Sequence, residues 1–170
     1  MIAMVPGRIY FDMDGVLADF DGAVRKCGLT PQPQENRDAV YEALLWQTLS
    51  GVPHYYDTLE IMEGAYDLFM VVYRKYGSRC EILTGIPKPD KNMPTSAEDK
   101  VRWMHRLFSP DIKVNTVYKK EKVNFCKGAD YVLIDDLKST IDSWNAAGGT
   151  GIHHKSSAET AEVLRKLGII

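Results

Sequence analysis

The chain has 170 residues, 45% of them hydrophobic, enough for one domain with a real core and a small insertion. Its net charge of -2 offers no general basic field to hold a nucleic-acid polymer. Three scattered cysteines, Cys27, Cys80 and Cys126, exclude a disulfide framework and a zinc cluster and fit a reducing cytoplasm. No signal peptide is read at the start, and no apolar run is long enough to span a bilayer.

In chain order, residues 8–12 (RIYFD) are predicted as a short buried strand, apolar and aromatic, that ends on a carboxylate. Asp19 and Asp21 follow at the expected start of a helix, where side-chain oxygens cap free N–H groups and the helix dipole favours anions. Between Asp21 and Leu59 no strand is evident. A Pro-rich loop at 30–34 leads to a predicted helix over 35–49 whose apolar face is Val40, Ala43 and Leu44, with Trp46 beside it. Residues 21–59 therefore read as a small helical insertion, and residues 1–20 and 60–170 as the core that carries it.

A helix is predicted over 63–75, then a buried strand at Cys80–Gly85 (CEILTG). Residues 95–108 form the next predicted helix, with Thr95 and Glu98 in capping-box spacing. An edge strand at 113–118 follows, then the clearest buried strand at 131–136 (YVLIDD). A helix at 139–147, a short strand at 150–154 and a helix at 158–167 complete the chain. The alternation implies an α/β fold: a Rossmann-like parallel five-stranded sheet with helices on both faces and a small helical cap inserted after strand one. His153 and His154 are adjacent on a strand, point to opposite faces and cannot easily share an ion.

In such a sheet, ligands bind beyond the carboxyl ends of the strands. Asp12 and Asp14 follow the first strand, Thr84 and Gly85 close the second, Asp135 and Asp136 end the fourth, and Lys119, Lys120 and Lys122 lie past the third. Four carboxylates in one crevice repel one another unless a cation joins them. An all-oxygen set suits Mg²⁺. With a lysine and a threonine hydroxyl, that makes a pocket for a phosphoryl group, beside which an ionised aspartate can act as nucleophile.

These residues also carry a family resemblance. DMDGV, ILTG, Lys122 and LIDD occur in the order of the four motifs of the haloacid dehalogenase (HAD) superfamily of phosphohydrolases. Within it, FDMDGVLADFDG, EDKVRWMHRLF and the LLWQTL segment resemble the 5'(3')-deoxyribonucleotidases. The resemblance implies that Asp12 attacks phosphorus and that Asp14 is the acid/base, its carbonyl also binding the metal. Asp136 would ligate the ion directly, Asp135 would assist, and Thr84, Gly85 and Lys122 would hold the phosphoryl oxygens. Lys119 or Lys120 could stand in for Lys122. Phe20 matches a base-stacking position, and Trp46 and Lys100 match substrate-side positions. The animal enzymes have serine where this chain has Gly85, and their insertion is longer. The implied substrate is a small phosphoester, a deoxynucleoside monophosphate first and a sugar phosphate second. A non-catalytic phosphate-binding module is the reading from another class. No nucleic-acid or membrane partner is expected, and a homodimer is left open.

Overall fold

The computed structural model describes residues 2–170. Five strands form one parallel sheet: β1 (Arg8–Phe11), β2 (Cys80–Gly85), β3 (Val114–Val117), β4 (Tyr131–Asp135) and β5 (Thr150–His153), in the order β3-β2-β1-β4-β5. β1, β2 and β4 are the apolar runs, and they take the three inner positions, where both faces are covered. The alternating segment at 114–117 is an edge strand, as its polarity predicts.

Six helices flank or extend the sheet: α1 (Phe20–Lys26), α2 (Ala39–Ser50), α3 (Ala65–Tyr76), α4 (Ser96–Leu107), α5 (Lys138–Ala146) and α6 (Ser157–Lys166). Strand alternation divides the core unequally. Ile9, Phe11, Ile82 and Ile134 face a large cluster with Phe69 of α3, Trp103 of α4 and Leu164 of α6. Tyr10, Leu83 and Leu133 face a smaller one, closed by Ile141 and Trp144 of α5. Among the described residues, no helix is long and apolar enough to cross a membrane.

The inserted helical cap is anchored at its neck. Asp19 donates its backbone N–H to Glu60 O at 2.8 Å, and Met62 donates to Leu17 O at 2.8 Å, so the chain leaves and re-enters the core side by side. Leu45 and Leu49 of α2 belong to the same buried cluster as Phe11 and Trp103.

Two local expectations are corrected. α2 begins at Ala39, capped by Asp38, whose carboxylate accepts from Tyr41 N; residues 34–36 form a separate 3-10 turn. Its buried side is Leu45 and Leu49, whereas Val40 and Leu44 are 80% and 48% exposed. Apolar residues surround this helix, so no single stripe marks the side that meets the core. At α4, the Thr95 hydroxyl does not cap the helix; it donates to Asp99 Oδ2 at 2.6 Å. Asp99 is buried and draws its partners from whatever stands near it.

Candidate active site

The sheet order reverses between β1 and β4, so the crevice at that switch point lies between the residues that follow these two strands. Asp12 continues β1, its N–H bonding Ile134 O at 2.9 Å, and Asp135 closes β4. The carboxylates of Asp12, Asp135 and Asp136 each bring one oxygen within 4.8 Å of the others.

Lys122 enters from the 3-10 turn Lys119–Phe125, which begins where Tyr118 N donates to Glu121 Oε1 at 2.8 Å. Its ammonium is buried between two acids and donates to Asp12 Oδ1 at 2.9 Å and Asp135 Oδ2 at 2.8 Å. Burial alone would push this lysine's pKa down; the charges of Asp12 and Asp135 outweigh it and raise it above the usual value. Asp135 is raised by burial and by Asp12, against the pull of Lys122. Asp136, although exposed as a residue, is pushed up to about 9, first by partial loss of solvation of its carboxyl and then by Asp12 and Asp135.

Gly15 allows the turn that follows. Its φ is +79°, and a Cβ there would collide with the Asp136 carboxylate. The turn sets Asp14 across the crevice. Asp14 Oδ2 accepts from Lys100 Nζ at 2.8 Å; Asp14 Oδ1 is buried with no hydrogen-bond partner among the described residues. Lys100, on α4, is fully buried. It also donates to Thr84 Oγ1 at 3.0 Å and Gly85 O at 2.6 Å, and its charge lies 4.4 Å from the centre of the Tyr56 ring.

The cleft holds about 260 Å³. Asp12, Asp14, Gly85, Lys122, Asp135 and Asp136 line its sheet side, and Phe20, Arg37, Trp46 and Tyr56 are among the residues on its cap side. Of the residues singled out in the sequence, Thr84 and Lys100 lie behind this wall rather than on it. Lys119 reaches the cleft and Lys120 does not. At Gly85, an added Cβ would meet only Lys119 atoms at ordinary contact distance, 3.6 Å and beyond. Phe20 is 8% exposed, wedged against Tyr55 and Tyr56, with the Arg37 guanidinium over its ring. Trp46 Nε1 donates to Glu42 Oε2.

Sequence reasoning missed Arg37 and Tyr56. For Arg37 a signal existed: it is the only lysine or arginine between Lys26 and Arg74. Tyr56 sits in the loop after α2, and its spacing carries no sign of the cleft.

No protein-family model matches the chain, and no curated protein matches it. Solved structures do. A haloacid dehalogenase-like family hydrolase from Xanthomonas campestris superposes with a TM-score of 0.60 at 13% identity, over 99% of this chain and 97% of that one. The HAD-hydrolase YfnB from Bacillus subtilis, bound to magnesium, gives 0.58 at 14%, over 96% and 99%. A HAD family hydrolase from Deinococcus radiodurans, with bound phosphate and sodium, gives 0.55 at 16%, over 97% of each chain. At these identities the likeness is one of fold, and the fold is that of the HAD-superfamily hydrolases.

Proposed function

We propose that the chain is a Mg²⁺-dependent phosphomonoesterase that works through an aspartyl-phosphate, with a deoxynucleoside monophosphate as substrate. The observation that carries the reaction class is the cluster of Asp12, Asp135 and Asp136 at the switch point, with Lys122 between two of its members and Asp14 facing it. The donors are hard oxygens only, a set that fits Mg²⁺. Both oxygens of Asp135 already have partners, Lys122 and Leu137 N. Asp12, Asp136 and the Asp14 carbonyl would therefore hold the ion, with Asp135 behind them. When bound, Mg²⁺ neutralises the crowded carboxylates and draws charge from the phosphoryl group.

Asp12 attacks phosphorus through a carboxylate oxygen, and the bond from phosphorus to the ester oxygen breaks. Asp14 gives its proton to that leaving oxygen, so the product departs as an alcohol. Asp14, now ionised, takes a proton from water; the water oxygen bonds to phosphorus, and phosphate leaves as the Asp12 carboxylate is restored. Lys122 would steady Asp12 and the phosphoryl oxygens, and the Gly85 N–H would add a donor in place of the absent serine hydroxyl. Thr84 acts through Lys100, which holds Asp14 in place.

The nucleoside part of the reading rests on the sequence resemblance and on the aromatic cap side of the cleft. A smaller ester, such as a sugar phosphate, is favoured by the volume of about 260 Å³, low for a ligand pocket. Phosphate release from a panel of nucleoside monophosphates and sugar phosphates, with Mg²⁺ and with chelator, decides between them. Activity confined to sugar phosphates overturns the nucleotidase reading. With Mg²⁺ present, hydrolysis of no ester at all leaves a phosphate-binding module. Asp12→Asn should cut turnover by about a thousandfold or more while calorimetry still detects Mg²⁺ binding.

A further inference from the structure

Arg37 stands apart from the other cations of the insertion, Arg25 and Lys26. It is the only lysine or arginine between Lys26 and Arg74, a stretch that holds Glu35, Asp38, Glu42 and Asp57. Its side chain is 9% exposed, yet it lines the cleft that contains Asp12 and Asp14. Such burial of a guanidinium is costly unless its N–H groups find partners. Only one of them does. Nε donates to Gln32 O at 3.1 Å, and the nearest carboxylate oxygen, Glu42 Oε1, is 4.0 Å from NH1. Among the described residues, NH1 and NH2 make no hydrogen bond, and neither is fully sealed from solvent.

The side chain is held rather than loose. Pro31 and Pro33 stiffen the strap in front of it, and Tyr41 OH fastens that strap to α2 by donating to Thr30 O at 2.7 Å. Asp38, the next residue, caps α2. Beneath the guanidinium lies the Phe20 ring, 5.8 Å from Cζ to its centre. Phe20 is pressed by Tyr55 and Tyr56 as well, so it backs the guanidinium instead of offering a free face.

We infer that Arg37 is the specificity-determining residue of the cap: it receives a pair of oxygen acceptors on the alcohol part of the phosphoester, at the end of the cleft away from the metal cluster. A guanidinium edge matches two adjacent coplanar acceptors, as in a carboxylate or the O6/N7 edge of a guanine. Glu42, with an oxygen 4.0 Å from NH1, lowers the gain from a second full negative charge and so narrows the advantage of an anion over a neutral pair of acceptors. The inference rests on the phosphomonoesterase reading of the same cleft.

The test compares Arg37→Met and Arg37→Lys with wild type on three esters. Phenyl phosphate has no acceptor on its alcohol, deoxyguanosine 5'-monophosphate carries the O6/N7 pair of guanine, and phosphoglycolate carries a carboxylate. Arg37→Met should raise KM about tenfold or more for at least one acceptor-bearing ester, with kcat within about twofold, and leave phenyl phosphate unchanged. Arg37→Lys, which keeps the charge and loses the fork, should rescue phosphoglycolate if the carboxylate is the ligand and should fail to rescue the nucleotide if the O6/N7 edge is. An equal loss on all three esters, or no loss on any, overturns the inference. Titration of the alcohols themselves, deoxyguanosine and glycolate, reads the subsite without turnover. If wild type hydrolyses nothing, the phosphomonoesterase reading falls, and Arg37 is then decided by whether Arg37→Met weakens either alcohol.

Discussion

At the scale of single residues, the site pairs groups whose charges are tolerable only together. Lys122 answers Asp12 and Asp135, and Lys100 answers Asp14, but Asp136 has no cation of its own. Its pKa is displaced upward to about 9, so the folded chain gains from a proton there. That gain is full below the usual carboxylate value and is lost as pH rises toward 9. Asp136→Asn should therefore raise Tm in chelator at pH 8, and the advantage over wild type should shrink toward pH 5. Adding Mg²⁺ should stabilise wild type and leave the variant nearly unmoved. Thermal unfolding by circular dichroism reads both. A variant that melts lower than wild type in chelator at pH 8 would show that Asp136 is not under this repulsion.

Elements differed in how plainly the sequence announced them. The inner strands were legible because burial on both faces demands an unbroken apolar run, and the polar residue that ends each run marks the site. The acidic pair at 12 and 14 and the pair at 135 and 136 were legible for that reason. The face of α2 was not: Val40, Ala43 and Leu44 are as apolar as Leu45 and Leu49, and only packing tells which side turns inward. Lys100 was marked by the family resemblance alone, not by its pattern. A lysine on an amphipathic helix reads as solvent-facing, and only the three-dimensional meeting of α4, β2 and the turn after β1 buries it. The two sides of α2 should respond differently to truncation. Leu49→Ala should cost about 2–5 kcal/mol by leaving a cavity, whereas Leu44→Ala should stay within about 0.5 kcal/mol. Urea unfolding measures both; a larger loss at Leu44 than at Leu49 would mean that the helix is turned the other way.

The whole molecule is a sheet with one thickly and one thinly covered face, so its stability leans on the larger cluster. His154 sits behind the site as β5 ends. Its N–H bonds Asp135 O at 2.8 Å, and its Nδ1 lies 2.7 Å from Thr160 Oγ1. Burial lowers its pKa to about 4 from the ordinary histidine value. Above pH 6.5 the ring is neutral in both states and costs nothing. Between that value and 4 the unfolded chain takes a proton that the folded one refuses, so stability falls as pH falls. His154→Gln should flatten this part of the profile. Urea midpoints for the two chains at pH 7, 5.5 and 4.5 should converge as the solution becomes acidic; a constant gap would remove His154 as the cause.

The paired neck of the cap, where residues 17–19 and 60–62 lie side by side, has an evolutionary consequence. Entry and exit are adjacent, so the segment between them can lengthen, shorten or change sequence without shifting the register of any strand. Asp12 and Asp14 precede the neck, whereas Gly85, Lys122, Asp135 and Asp136 follow it. If the proposed function holds, a lineage of this chain could therefore drift toward new alcohols by mutation within some forty residues while the phosphoryl chemistry proposed for the sheet side stands still. The limit on that drift is Leu45 and Leu49, which tie the freely variable segment to the core it would otherwise be independent of.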